Sequence, residues 1–192
     1  KPWHTVSMDL VVELPRTQDG YKHILTVVDH LSKMTHLIPL KIIPNAQSLA
    51  NIFLSHIVKL HGLPSVLITD RGSQFISQFW SSLCKNLDMD VRLSSSFHPL
   101  TDGQAERTNQ TLEQFLRCLL LKYSDEWSNL LWAVEFAINN SEHSSIGISP
   151  FYCVNGYHPK SSPFLEEIDS HLPSVQTHHD SLRQILTQAC YH

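Results

Sequence analysis

The sequence predicts a mixed α/β fold: a five-stranded sheet, three antiparallel strands followed by parallel additions, flanked by helices. Three observations carry it. Three segments near the start show strand patterns and are joined by short polar links. A short apolar run, Val66-Leu67-Ile68, lies between two helical patterns, as a buried parallel strand does. Two further stretches repeat apolar residues at helical spacing.

Residues 3–14 alternate, with Val6, Met8, Leu10, Val12 and Leu14 on one side and Thr5, Ser7, Asp9, Val11 and Glu13 on the other. Period two means a strand. Residues 23–29 and 34–40 give two more, making an antiparallel meander. Asn45 offers an N-cap to a helix whose stripe is Ala46, Leu49, Ala50, Phe53, Ile57 and Leu60, stopped by Gly62 and Pro64. After strand 66–68 come a helix over about 75–87, a short strand near 91–95 and a polar loop from Ser94 to Gly103. A helix over 103–122 follows, with Glu106, Gln110, Glu113 and Arg117 on its polar face. The stripe Trp127, Leu130, Leu131, Val134 and Ile138 marks another over 127–140. The chain then reads as loop-rich through Pro163, and 180–190 suits the start of a further helix.

The 192 residues suit one domain, and 42% apolar with 17% charged residues is a globular composition. No apolar run reaches about 18 residues, so no membrane span is expected. The start has no signal-peptide core and reads as a cut inside a longer protein. Four scattered cysteines argue against a disulfide framework and suit a reducing compartment. The thirteen histidines show no zinc-ligand spacing. A net charge of −4 without a Lys/Arg cluster gives no electrostatic footprint for nucleic acid, so this chain alone is expected to hold DNA weakly.

Three acids carry the chemistry. Asp9 sits inside a strand with apolar residues on both sides, where a lone carboxylate needs a partner, a proton or a metal. Asp70 follows the apolar strand, at the sheet end where ligands bind in α/β proteins. Glu106 opens the polar face of the 103–122 helix. Such carboxylates suit two magnesium ions about 3.5–4 Å apart, which activate one oxygen and stabilise another in phosphoryl transfer. Blander roles compete: a strand acid at an exposed sheet edge for Asp9, a turn or cap residue for Asp70, and a solvated helix acid for Glu106.

Ser7-Met8-Asp9, Thr69-Asp70-Arg71-Gly72-Ser73-Gln74-Phe75 and His98-Pro99-Leu100-Thr101-Asp102-Gly103-Gln104-Ala105-Glu106-Arg107 together resemble the catalytic core of retroviral-type integrases, nearest those of Ty3/gypsy long-terminal-repeat retrotransposons. The 35 positions from 71 to 105 match the family's spacing between its second and third acids. Val28-Asp29-His30-Leu31-Ser32-Lys33-Met34, His61-Gly62-Leu63-Pro64, Glu135 to Ser141 and Gly147 to Phe151 extend the likeness over about 3–160. Many relatives carry Gln where Leu100 stands, and many retroviral ones Asn where Arg71 stands; neither position is a metal ligand.

The resemblance implies an RNase H-like core over 1–160, with 161–192 an extension or linker. It implies a polynucleotidyl transferase with a carboxylate triad, Asp9, Asp70 and Glu106, holding two Mg2+ ions for which Mn2+ can substitute. The activity implied is 3′-end processing and strand transfer of element DNA into target DNA, in the nucleus after a cytoplasmic stage. His98, Arg107, Asn109 and Gln110 are the candidate DNA contacts, against a bland reading of His98 as a loop cap and Arg107 as the partner of a surface acid. Partners implied are element and target DNA and further copies of the chain, as a homodimer or higher multimer. A second reading is a domesticated, non-catalytic integrase-derived module for DNA targeting or protein interaction; the intact triad weighs against it.

Overall fold

The computed structural model describes residues 1–70, 72–93, 116–117, 120 and 124–160. Five strands, β1 (Thr5–Val11), β2 (His23–Asp29), β3 (Thr35–Leu40), β4 (Val66–Thr69) and β5 (Asp90–Leu93), form one sheet in the order β3-β2-β1-β4-β5. β1–β2 and β2–β3 pair antiparallel, whereas β1–β4 and β4–β5 pair parallel. This is the expected mixed sheet. β1 is shorter than the alternation of 3–14, because Trp3 and Glu13, each at φ 60°, turn the chain out of the extended region at both ends.

The two faces of the sheet bury different helices. Val6, Met8, Leu25, Val27 and Leu67 pack on one face against Leu49, Phe53 and Ile57, and against Phe75, Trp80 and Cys84. These come from α1 (Ala46–Phe53) and its continuation through Ile57, and from α2 (Gln78–Asn86) with its approach. On the other face Ile24 and Leu37 meet Leu116 and Trp127, Leu131, Val134 and Ile138 of α3 (Trp127–Asn140). Alternation along β1 sends Met8 to the first face and Asp9 to the second.

Local chemistry explains the helix ends. The Asn45 side chain accepts the Ser48 N–H at 2.9 Å and starts α1. Beyond Phe53 the helix widens into a π-helical segment, Leu54–Val58, before its last turn, Lys59–His61. Ser55 Oγ donates to the Ile52 carbonyl at 3.1 Å, and His56 Nδ1 lies 3.0 Å from the same oxygen. These side chains occupy the acceptor that a regular turn would use. Ser77 caps α2 by accepting the Trp80 N–H at 3.2 Å, so Phe75 lies before the helix instead of opening it. α4 (Pro150–Asn155) stands within the stretch expected to be loop, capped by Ser149, begun by Pro150 and ended by Gly156 at φ 75°. Of the expected 103–122 helix, residues 116, 117 and 120 are described and are helical; residues 161–192 lie outside the described set.

Edge strand β3 is sealed by α3. Asn139 accepts the Thr35 N–H and donates to the Thr35 carbonyl, each at 2.8 Å, and Glu135 Oε2 accepts the Leu37 N–H at 2.8 Å. One helix face, at i and i+4, thus satisfies the edge groups another strand would take. Glu135 Oε1 also lies 2.9 Å from His36 Nδ1, and His36 Nε2 lies 2.8 Å from His61 Nε2. Trp3 stacks on His61 with ring centroids 3.7 Å apart. Burial, then the neighbouring His36, push the His61 pKa down to about 4, while Asp29 opposes.

Two predictions follow from this packing. Asn139→Ala leaves the Thr35 N–H and carbonyl unpaired in a buried setting, and urea unfolding should show a loss of about 2–4 kcal/mol; a loss under about 0.5 kcal/mol would mean the edge stands without its cap. The folded state binds the His61 proton more weakly than the unfolded chain, so the stability tied to neutral His61 is complete above about pH 6.5 and declines as pH falls toward 4. His61→Phe, which keeps a ring on Trp3 but cannot titrate, should flatten the melting-temperature profile across that window.

Candidate metal centre

β1 is an internal strand, so Asp9 is not an acid on an exposed sheet edge. The parallel register pairs Thr5 with Val66 and continues to Met8 with Thr69. Its next step sets Asp9 beside Asp70. Two carboxylates distant in sequence therefore meet at the carboxyl ends of adjacent parallel strands.

Asp9 is half-buried, and its Oδ1 accepts the Leu10 N–H at 2.9 Å. Burial raises its pKa above the usual 3.8; the Leu10 hydrogen bond works against this, and the Asp70 charge adds to the rise. Asp70 is exposed, and its Oδ1 accepts the Gly72 N–H at 3.0 Å. The turn role weighed for Asp70 is therefore real, and it leaves the second oxygen out of that bond. Gly72 leaves this wrap uncrowded: a Cβ there would lie 3.0 Å from Asp70 Oδ1 and would make the Gln74 side chain shift.

Neither acid belongs to an ion pair among the described residues. Two carboxylates thus lie side by side with hard oxygen donors and no ion-pair partner among the described residues. That donor set fits a divalent cation of the magnesium class. Among the described residues no group of three His, Cys, Asp or Glu forms a cage. Glu106, the expected third acid, lies outside the described residues, as do His98, Arg107, Asn109 and Gln110. Leu116 is 3% exposed in the core on the Asp9 face, and Leu120 packs against the same cluster.

One neighbour escaped the sequence reading. Thr26 is the cross-strand partner of Asp9, 2% exposed, and its hydroxyl has no hydrogen-bond partner among the described residues. The only signal was a hydroxyl inside the otherwise apolar run Ile24 to Val28.

Residues 1–99 match the family described as "Integrase core domain". The transposon Tf2-3 and Tf2-4 polyproteins of Schizosaccharomyces pombe are each 35% identical to this chain over 163 residues, which is 85% of it and 12% of the polyprotein. The chain therefore spans about an eighth of those relatives. Among solved structures, the HTLV-2 integrase catalytic core domain in complex with magnesium (trimeric form) superposes with a TM-score of 0.60 at 20% identity, covering 78% of this chain and 95% of that one. The simian T-cell lymphotropic virus intasome in complex with PP2A regulatory subunit B56 gamma gives 0.64 at 22% identity, covering 90% of this chain and 59% of that one. These likenesses show the RNase H-like fold that the motifs implied. With the match across more than half its length, the chain belongs to the integrase core domain family.

Proposed function

We propose that this chain is the catalytic core of an integrase that performs metal-dependent 3′-end processing and strand transfer, with Asp9, Asp70 and Glu106 holding two Mg2+ ions. The observation that carries this reading is the β1–β4 register, which brings two carboxylates side by side with no ion-pair partner among the described residues. Leu116 and Leu120, from the third acid's expected helix, pack on the sheet face that carries Asp9, which brings that helix to the same side of the sheet. The HTLV-2 relative is described in complex with magnesium, which supports the same ion here, with Mn2+ as a substitute.

Bound divalent ions would supply charge neutralisation and a more acidic water. Asp9, Asp70 and Glu106 would together supply the carboxylate oxygens that hold the ions. In the first step a water oxygen bonds to phosphorus, the bond to the 3′ oxygen breaks, and a 3′-hydroxyl is released. In the second, that hydroxyl attacks a target phosphodiester, whose own 3′ oxygen leaves. His98, Arg107, Asn109 and Gln110 would contact the DNA. Trp132 stands 46% exposed on α3, and the HTLV-2 core is described in dimeric and trimeric forms, so a homodimer or higher multimer completes the proposal. Gel filtration that returns a strict monomer at high concentration would count against assembly.

The activity is tested on a pre-joined branched DNA with Mg2+ or Mn2+. Cleavage and rejoining should depend on metal and drop to background in Asp9→Asn, Asp70→Asn and Glu106→Gln; persistence in any of the three removes that residue from the centre. The same Asp9→Asn chain should be more stable than wild type without metal. Burial and Asp70 disfavour the charged form, so ionising Asp9 as pH rises past its raised pKa costs stability at neutral pH. The expected gain is about 1 kcal/mol, or roughly 2–4 °C in melting temperature by differential scanning calorimetry. A lower melting temperature would show that the carboxylate stabilises the fold.

A further inference from the structure

Thr26 is the cross-strand neighbour of Asp9 and lies on the same face of the sheet. Directly opposed residues in such a ladder keep their Cβ atoms about 4.5–5.5 Å apart, within reach of a hydroxyl and a carboxylate. On its other side Thr26 pairs with Leu37, which offers no side-chain acceptor. The Thr26 hydroxyl is buried with no hydrogen-bond partner among the described residues, a state that costs stability and that valine, of similar size and present at positions 27 and 28, would avoid. Asp9 has the complementary vacancy: Oδ1 takes the Leu10 N–H, and Oδ2 accepts no hydrogen bond among the described residues.

We propose that Thr26 is a positioning residue for Asp9, its hydroxyl donating to Oδ2 once a divalent ion draws the carboxylate into its ligating orientation. Asp9 would then be held by the Leu10 N–H through one oxygen and by Thr26 through the other, which fixes the lone pairs left for metal. The inference rests on the reading of Asp9 as a metal ligand. It explains why an uncompensated donor stands in the most buried strand of the sheet.

Manganese binding to the 192-residue chain, measured by electron paramagnetic resonance without DNA, tests this on wild type, Thr26→Val, Thr26→Ser and Asp9→Asn. The Kd for Mn2+ should rise about tenfold in Thr26→Val and return close to wild type in Thr26→Ser. The metal-free melting temperature of Thr26→Val should stay level or rise, because an unpartnered hydroxyl has been removed. Wild-type affinity in Thr26→Val, alongside loss in Asp9→Asn, would overturn the role of Thr26 and leave Asp9 a ligand. Equal weakening in the Val and Ser variants would make the effect one of packing and overturn it too. Equal affinity in wild type and Asp9→Asn would remove Asp9 from the metal, and Thr26 with it.

Discussion

A carboxylate fixed on the central strand is the constraint around which the sheet is organised. β1 has a neighbour on each side, one antiparallel and one parallel, so Asp9 cannot relax into solvent by letting an edge fray. Register decides its surroundings. A slip of one residue would turn Asp9 into the face filled by α1 and α2, and Met8 out of it. Apolar residues on both faces of β1 and β2 make that slip costly, and the same apolar investment that stabilises the sheet therefore holds the acid in place.

The periphery is arranged to keep that register. On the β3 side the sheet ends in a helix, not in open strand groups: Glu135 and Asn139 take the places of a sixth strand. The same glutamate reaches His36, which reaches His61 at the end of the first helix, which stacks on Trp3. Elements from both faces and from the chain's start are thereby tied to one edge. At the other end of β1 the tie is smaller, a single turn in which Gly72 wraps the Asp70 carboxylate.

Most of this arrangement was legible in the sequence, for identifiable reasons. Period-two alternation marked β1 to β3, and the bounded apolar run marked β4, because burial pattern and strand geometry share one period. The α3 stripe was readable from Trp127 to Ile138, and all of its residues fall in or against the core. The reading failed where local side-chain chemistry overrides periodicity. Alternation runs through Trp3 and Glu13, yet their positive φ ends the strand. The stripe of α1 continues past Phe53, yet Ser55 and His56 divert its bonding. The serine, proline and glycine that define α4 are too sparse to outweigh a loop-like composition. The pairing of Asp9 with Asp70 was legible only as an expectation from motif likeness, because strand register is a long-range property. Thr26 was not legible, since a threonine in a strand is ordinary until its partner is known.

The order of strands carries a consequence for the growing and refolding chain. β1, β2 and β3 close by short connections, whereas β4 can join β1 only after the long crossover through the first helix has been laid down. Local pairings form fast and distant ones late. A molecule with only the local pairings formed would hold Asp9 without Asp70 beside it. The proposed metal centre would therefore stay unformed in nascent chains and partly unfolded copies, with topology as the safety catch.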